Sequence, residues 1–168
     1  IISGEDVQLP EHSYRKIFEF LNLNEKDIFY HLGCGDGEGI MMALEKFNVK
    51  KAVGIDNNKE KIQRAKTLVK ERKIKNAEFL CEDVLDAKMD DATVVLFWFT
   101  DKEIIEGMKK RFENLQDGSM IATIWGPLPG CLPDKVDFPY IISKVPFKSA
   151  ELKEQLLAIF GTKCIDFV

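Results

Sequence analysis

Four glycines at alternate positions, Gly33, Gly35, Gly37 and Gly39, join an apolar run (residues 29–32) to an amphipathic one carrying Ile40, Met41, Met42, Ala43, Leu44 and Phe47. That order is strand, tight turn, helix. Glycine tolerates positive φ and lets a ligand or another backbone come close. The helix N-terminus just beyond offers unpaired N–H groups and a partial positive charge. A plain turn rarely needs four glycines, so the stretch reads as a binding turn. Its spacing is not the dinucleotide fingerprint G-x-G-x-x-G. In the three possible frames the third glycine would fall on Glu38, Ile40 or Met42. A nicotinamide-dependent oxidoreductase therefore stays open only through its shared strand–glycine–helix order.

Two acids and three rings lie where they could complete a site. Asp56 ends the run 51–56, about 20 residues past the turn, where an acid can accept hydrogen bonds from a ribose diol. Its plainer role, with Asn57 and Asn58, is to cap the following helix. Asp83, with Val84 after it, follows the run 77–81, and its plain role is that of a turn acid. The run 92–99 is almost continuously apolar and ends in Phe97-Trp98-Phe99. Its carboxyl end, 97–101, should reach the crevice where open α/β sheets bind ligands. Alternation leaves at least one of the three rings to the core. His31 has the chemistry of a base, but inside a strand end it reads as a packed histidine.

The elements that must hold these residues can be laid out in order. A helix over about residues 10–22 starts at Pro10-Glu11, with Tyr14, Ile17, Phe18 and Leu21 on one face. Strands at 28–32, 51–56, 77–81, 92–99 and 119–125 alternate with helices at 37–47, 59–73 and 102–115. Such alternation requires a doubly wound, mostly parallel sheet between helical layers, an α/β/α architecture. The helix 59–73 carries Lys59, Lys61, Arg64, Lys66, Lys70, Arg72 and Lys73. These charges surround it with no aromatics between them, so it reads as a solvated surface rather than a nucleic-acid face. Residues 126–139 hold Pro127, Pro129, Pro133 and Pro139 with Gly126, Gly130 and Cys131. They read as a long loop beyond the strand tips, either a substrate wall or a connector. An extended segment at 139–147, a helix at 148–160 starting near Ser149, and a final strand at 162–168 complete the reading.

At 168 residues and 45% hydrophobic composition, the chain has enough core for one domain, 1–168. The net charge of −4 disfavours strong nonspecific binding to nucleic acid. Cys34, Cys81, Cys131 and Cys164 are scattered and form no C-x-x-C pair, so neither a metal site nor a redox pair is expected. With no signal peptide and no apolar run of about 18 residues, the expected location is cytoplasmic, off the membrane. A start at Ile1 and an end inside a strand-like run read as a piece trimmed from a longer protein.

The G-x-G-x-G spacing, with acids after the second and third strands, resembles the first motifs of Rossmann-like class I S-adenosylmethionine (SAM)-dependent methyltransferases. The resemblance runs from about Pro10 to Gly126. It implies SAM as cofactor and S-adenosylhomocysteine as product. It implies that Gly33, Cys34, Gly35 and Gly37 face the methionine part, and that Asp56 and Asn57 take the ribose. Asp83 would take the adenine amino group, Val84 the ring face, and Phe97 would border the cofactor. Within the class, Leu9-Pro10-Glu11, Leu32-Gly33-Cys34-Gly35-Asp36-Gly37, Val53-Gly54 and Ala92-Thr93-Val94-Val95 are similar to small archaeal-type protein-lysine methyltransferases. Where base and glutamine amino-methylases carry an Asn/Asp-Pro-Pro-Tyr-type motif, this chain has Phe97-Trp98-Phe99-Thr100. That aromatic lip would form a narrow channel for a lysine chain, so a protein lysine amine is the expected acceptor. A small molecule or RNA is the alternative. The family core also ends in an antiparallel strand pair, which this chain is expected to lack in part or carry in altered form. The family's acid two residues before the first glycine is His31 here. This departure motivates a further alternative, a SAM-binding regulatory module without catalysis. It also gives an expectation: an acid at position 31 should tighten SAM binding, and wild-type affinity should fall as pH drops through the histidine range.

Overall fold

The computed structural model describes residues 9–162. The chain runs α1 (Glu11–Phe20), β1 (Ile28–Leu32), α2 (Glu38–Lys46), β2 (Lys51–Asp56), α3 (Lys59–Glu71), β3 (Ala77–Cys81), β4 (Val94–Phe97), α4 (Lys102–Phe112), β5 (Met120–Ile124), β6 (Lys135–Asp137), β7 (Tyr140–Lys144) and α5 (Leu152–Phe160). Among the described residues, seven strands form one sheet in the order β3-β2-β1-β4-β5-β7-β6. The five strands from β3 to β5 are parallel, and β7 pairs antiparallel with both β5 and β6.

Alternation along the central strands sorts side chains to the two faces. Phe29 of β1 and Val94 and Leu96 of β4 pack with Tyr14, Ile17 and Phe18 of α1, Ile40 and Ala43 of α2, and Ile62 and Ala65 of α3. Tyr30, Leu32, Val95 and Phe97 face the other way, against Met108 and Phe112 of α4. Both faces of β4 are covered, which is why its sequence is continuously apolar. Among the described residues no helix is long and apolar enough to cross a membrane.

Three expectations change. The run 92–99 is a strand only over Val94–Phe97, so Trp98 and Phe99 leave the ladder at the sheet edge. The expected loop 126–139 contains β6, whose partner β7 takes the antiparallel place beside β5. The final helix begins at Leu152 rather than near Ser149, because Glu151 and Glu154 form a capping box. Ser149 instead bridges to Cys131. The strand expected at 162–168 lies, beyond Thr162, outside the described residues, as does Cys164.

Candidate functional site

The parallel register aligns the strand ends. Leu32 of β1 pairs with Ile55 of β2 and with Phe97 of β4, and Asp56 pairs with Cys81 of β3. The Gly33–Gly37 turn leaves β1 at this row with Gly33, Gly35 and Gly37 at φ of 77°, 55° and 84°. The Gly33 and Cys34 N–H groups donate to the Ile55 carbonyl at 2.7 and 3.1 Å, and that of Gly37 to the Cys34 carbonyl at 3.0 Å. At Gly37 a side chain is excluded on two counts: φ is positive, and a Cβ would lie 2.7 Å from the Phe79 ring.

Asp56 is tied directly to this turn. One carboxylate oxygen accepts the Gly35 N–H at 2.9 Å and the other the Asn58 N–H at 2.8 Å. The cap of α3 is Asn58, which accepts the Lys61 N–H at 3.1 Å. A carboxylate offers about four acceptor positions. Half-buried Asp56 can therefore still receive hydroxyl donors from a ligand. Asn57 is exposed just past it. The Glu82 N–H donates to the Asp56 carbonyl at 3.2 Å and pins the exit of β3 beside that of β2. Asp83 is exposed, with its carboxylate accepting the Leu85 N–H at 2.9 Å, and Val84 is buried. The turn, Asp56, Asp83 and Phe97 thus share one edge of the sheet.

Cys34 points into the core, where a Cβ on Gly54 would come within 2.7 Å of its sulfur. Burial pushes its thiol pKa up, so it is a packed neutral thiol rather than a nucleophile. His31 is 5% exposed. Its ring meets Tyr14 edge-on at 5.6 Å and lies 6.3 Å from Phe29. Gly39 leaves room for it, since a Cβ there would lie 3.0 Å from His31 Nδ1. Among the described residues Nδ1 has no hydrogen-bond partner, and burial lowers the imidazole pKa to about 4. The histidine is therefore neutral near pH 7 and packed under α1 and α2. This corrects two expectations. SAM affinity has no reason to change with pH through this group near its ordinary range, and an acid at position 31 would be buried among aromatic rings.

Beside the turn, a cavity of about 240 Å³ opens at the carboxyl ends of β4 and β5, lined among others by Phe97, Trp98, Phe99, Thr123, Ile124 and Trp125. Phe97 is the ring that the core claims, stacked on Phe99 at 5.0 Å and edge-on to Phe112 at 5.2 Å. Phe99 also reaches the turn, with its ring 3.3 Å from where a Gly33 Cβ would stand. Among the described residues, no ionisable side chain lines this cavity. A larger cleft of about 430 Å³, lined by Asn48, Val49 and residues 72–76, sits where the chain enters β2 and β3. That is the amino end of the strands, away from the edge where such sheets bind ligands.

Sequence reasoning missed two supports of this edge. Arg111 of α4 donates to the carbonyls of Val84 at 2.9 Å, Leu85 at 2.7 Å, and Ala87. It clamps the segment that carries Asp83. Arg64 of α3 pairs with Asp36 of the glycine turn at 2.9 Å.

Comparison with known proteins bears on this geometry. Residues 24–117 match a family profile described as a methyltransferase domain. The chain belongs to that family. A protein-lysine N-methyltransferase of Saccharolobus islandicus (strain REY15A) is 32% identical over 133 residues, covering 77% of this chain and 81% of that protein. An RNA methyltransferase from Salinibacter ruber, solved with S-adenosylhomocysteine, shares the fold at a TM-score of 0.77 and 24% identity, covering 86% of this chain and 97% of its own. A geranyl diphosphate C-methyltransferase from Streptomyces coelicolor A3(2) matches at a TM-score of 0.60 and 17% identity, covering 69% of this chain and 46% of its own. The protein is a SAM-dependent methyltransferase with a Rossmann-like fold. The acceptors in those names are a lysine, an RNA and a prenyl diphosphate, so the fold alone leaves the acceptor open.

Proposed function

We propose that this methyltransferase acts on the side-chain amine of lysine in a cytoplasmic protein. The observation that carries the reading is the acceptor cavity: among the described residues its walls are rings, aliphatic groups and two threonines, with no acid, base or cation. A lysine stem can lie along such walls. The same walls disfavour the charged form of its amine, which must lose a proton before it can attack. The lysine methyltransferase relative supports this choice among acceptors.

In this reading the glycine turn takes the methionine part of SAM, and Asp56, with Asn57 beside it, receives the ribose hydroxyls. Asp83 accepts the adenine amino group and Val84 meets the ring. Bound SAM supplies a methyl group already activated by its sulfonium. The protein's part is then to hold the acceptor in line and to keep water out. Phe97 and Phe99 bridge the two sites, since Phe97 pairs with Leu32 at the turn and Phe99 packs over Gly33. Trp98 and Trp125 also line the cavity, and Thr123 contributes a buried hydroxyl to it.

The test supplies methyl-labelled SAM with either a lysine-rich unfolded protein or a single-stranded RNA, and analyses hydrolysates of each. Label in methyllysine supports the reading. Label confined to nucleosides would replace it with RNA methylation. Saturable SAM binding without transfer to any acceptor would favour the regulatory module.

A further inference from the structure

Large apolar side chains are exposed at few positions among the described residues, and three of them form one row with Phe138 in the middle. Trp125 is 62% exposed, Phe138 43% and Phe160 48%. The ring of Phe138 lies 5.4 Å from that of Trp125 and 5.2 Å from that of Phe160. The three come from separate places: the exit of β5, the β6–β7 turn and the end of α5. The backbone holds the first two together, because the Trp125 N–H donates to the Pro139 carbonyl at 2.7 Å. Trp125 does this at a φ of 72°, a left-handed conformation unfavourable for a bulky residue. Such strain concentrates where a side chain must be held in place for function.

This row of rings is continuous with the acceptor cavity, since Trp125 is also one of the cavity walls. We propose that Trp125, Phe138 and Phe160 form a docking ladder for the polypeptide around the acceptor lysine, and that it seats an apolar residue close to that lysine in sequence. The inference rests on the lysine reading above. Two steps of 5.4 and 5.2 Å match about three residues of extended chain at roughly 3.3 Å each. The ladder therefore serves residues near the lysine rather than a distant part of the substrate. Aromatic anchors are the groups that dominate peptide and protein interfaces. Protein is favoured over single-stranded RNA by ring orientation. The rings stand at 82° and 54° to one another, so they offer no parallel slots in which successive bases could stack. The net charge of −4 points the same way.

The test uses the whole chain, labelled SAM and three acceptors: a short peptide with phenylalanine two residues from its one lysine, the same peptide with glycine there, and butylamine. Wild type should prefer the phenylalanine peptide by about tenfold in kcat/KM. Phe138→Ala and Phe160→Ala should each erase most of that preference while leaving butylamine turnover and S-adenosylhomocysteine affinity unchanged. Phe138→Leu should keep part of it. Both substitutions are at exposed positions, and thermal melting checks that the variants fold. Equal use of the two peptides by wild type, or a preference that survives both alanine substitutions, would overturn the ladder. So would a wild-type dimer that Phe138→Ala dissociates, or RNA that competes at these rings. If butylamine and both peptides stay unmethylated, the lysine reading itself fails. Calorimetry of the two peptides with the S-adenosylhomocysteine complex then still tests the ladder, and equal affinities would overturn it.

Discussion

The edge of the sheet at β1–β3 and the edge at β4, β5 and β7 are adjacent, yet they are built from different material. On the first, the groups proposed to face the cofactor donor are backbone N–H groups and short carboxylates, each bonded to main-chain atoms nearby. Asp56 bonds to Gly35 and Asn58, Asp83 to Leu85, and Gly33 to Ile55. On the second, the surface proposed to face the methyl acceptor is a set of rings held by packing on one another. The contrast has a physical consequence. Changes on the donor side should register in folding and in cofactor affinity together, because the same bonds serve both. Changes on the acceptor side should alter turnover and acceptor choice with little effect on the donor.

Gly37→Ala should have the largest effect. The new Cβ meets the Phe79 ring at 2.7 Å and Ala65 at 3.1 Å, with φ at +84°. Overpacking together with left-handed strain should cost about 2–4 kcal/mol of stability. Urea melts should show the loss, and SAM binding should weaken with it. A variant that keeps wild-type stability but loses SAM would mean that the turn serves the ligand alone.

His31 lies behind this edge, packed against Tyr14 and Phe29 and outside the bonds that would hold the cofactor, so it bears on folding alone. Its folded pKa of about 4 lies below its ordinary value of 6.5. The unfolded chain therefore takes up this proton first. The stability from keeping His31 neutral is present above pH 6.5 and is lost as pH falls towards 4. The difference amounts to about 3 kcal/mol. His31→Leu should thus gain on wild type as the pH is lowered across this window in parallel denaturation curves. It should bind S-adenosylhomocysteine as wild type does at pH 7. Parallel stability curves for the two proteins would show that the imidazole is not held neutral.

Arg111→Met keeps an apolar stem but removes the donors to the carbonyls of Val84, Leu85 and Ala87. A loss of about 1–3 kcal/mol is expected, with hydrogen exchange rising in residues 82–87. Exchange confined to α4 would show that the clamp supports the helix instead.

How much of this was legible in the sequence follows the same division. The donor side was readable because it depends on local rules: glycine spacing, an acid at a strand end, an apolar run entering a turn. Even there, sequence left Asp56 between a ribose ligand and a helix cap. The cap proved to be Asn58, two residues on, which leaves the Asp56 carboxylate to the glycine turn. The acceptor side depends on contacts between distant segments. The β6 strand is three residues long with two of them exposed, so it carries no periodic signal. Trp125 reads as the last residue of a strand, but it turns left-handed and meets Phe138, whose ring in turn meets Phe160 farther along the chain. Arg111 reads as one more base in the last turn of a helix, and its partners lie 24–27 residues away.

The most direct test of the division is calorimetric titration of S-adenosylhomocysteine into wild type, Asp56→Ala and Trp98→Leu. Asp56→Ala should weaken binding by about 1–3 kcal/mol, because buried hydroxyl donors lose their acceptor. Trp98→Leu should bind like wild type while its methyl transfer to a lysine peptide falls. Unchanged affinity in Asp56→Ala, or an equal loss in both variants, would contradict a cofactor grip at the β1–β2 edge separate from an aromatic acceptor site.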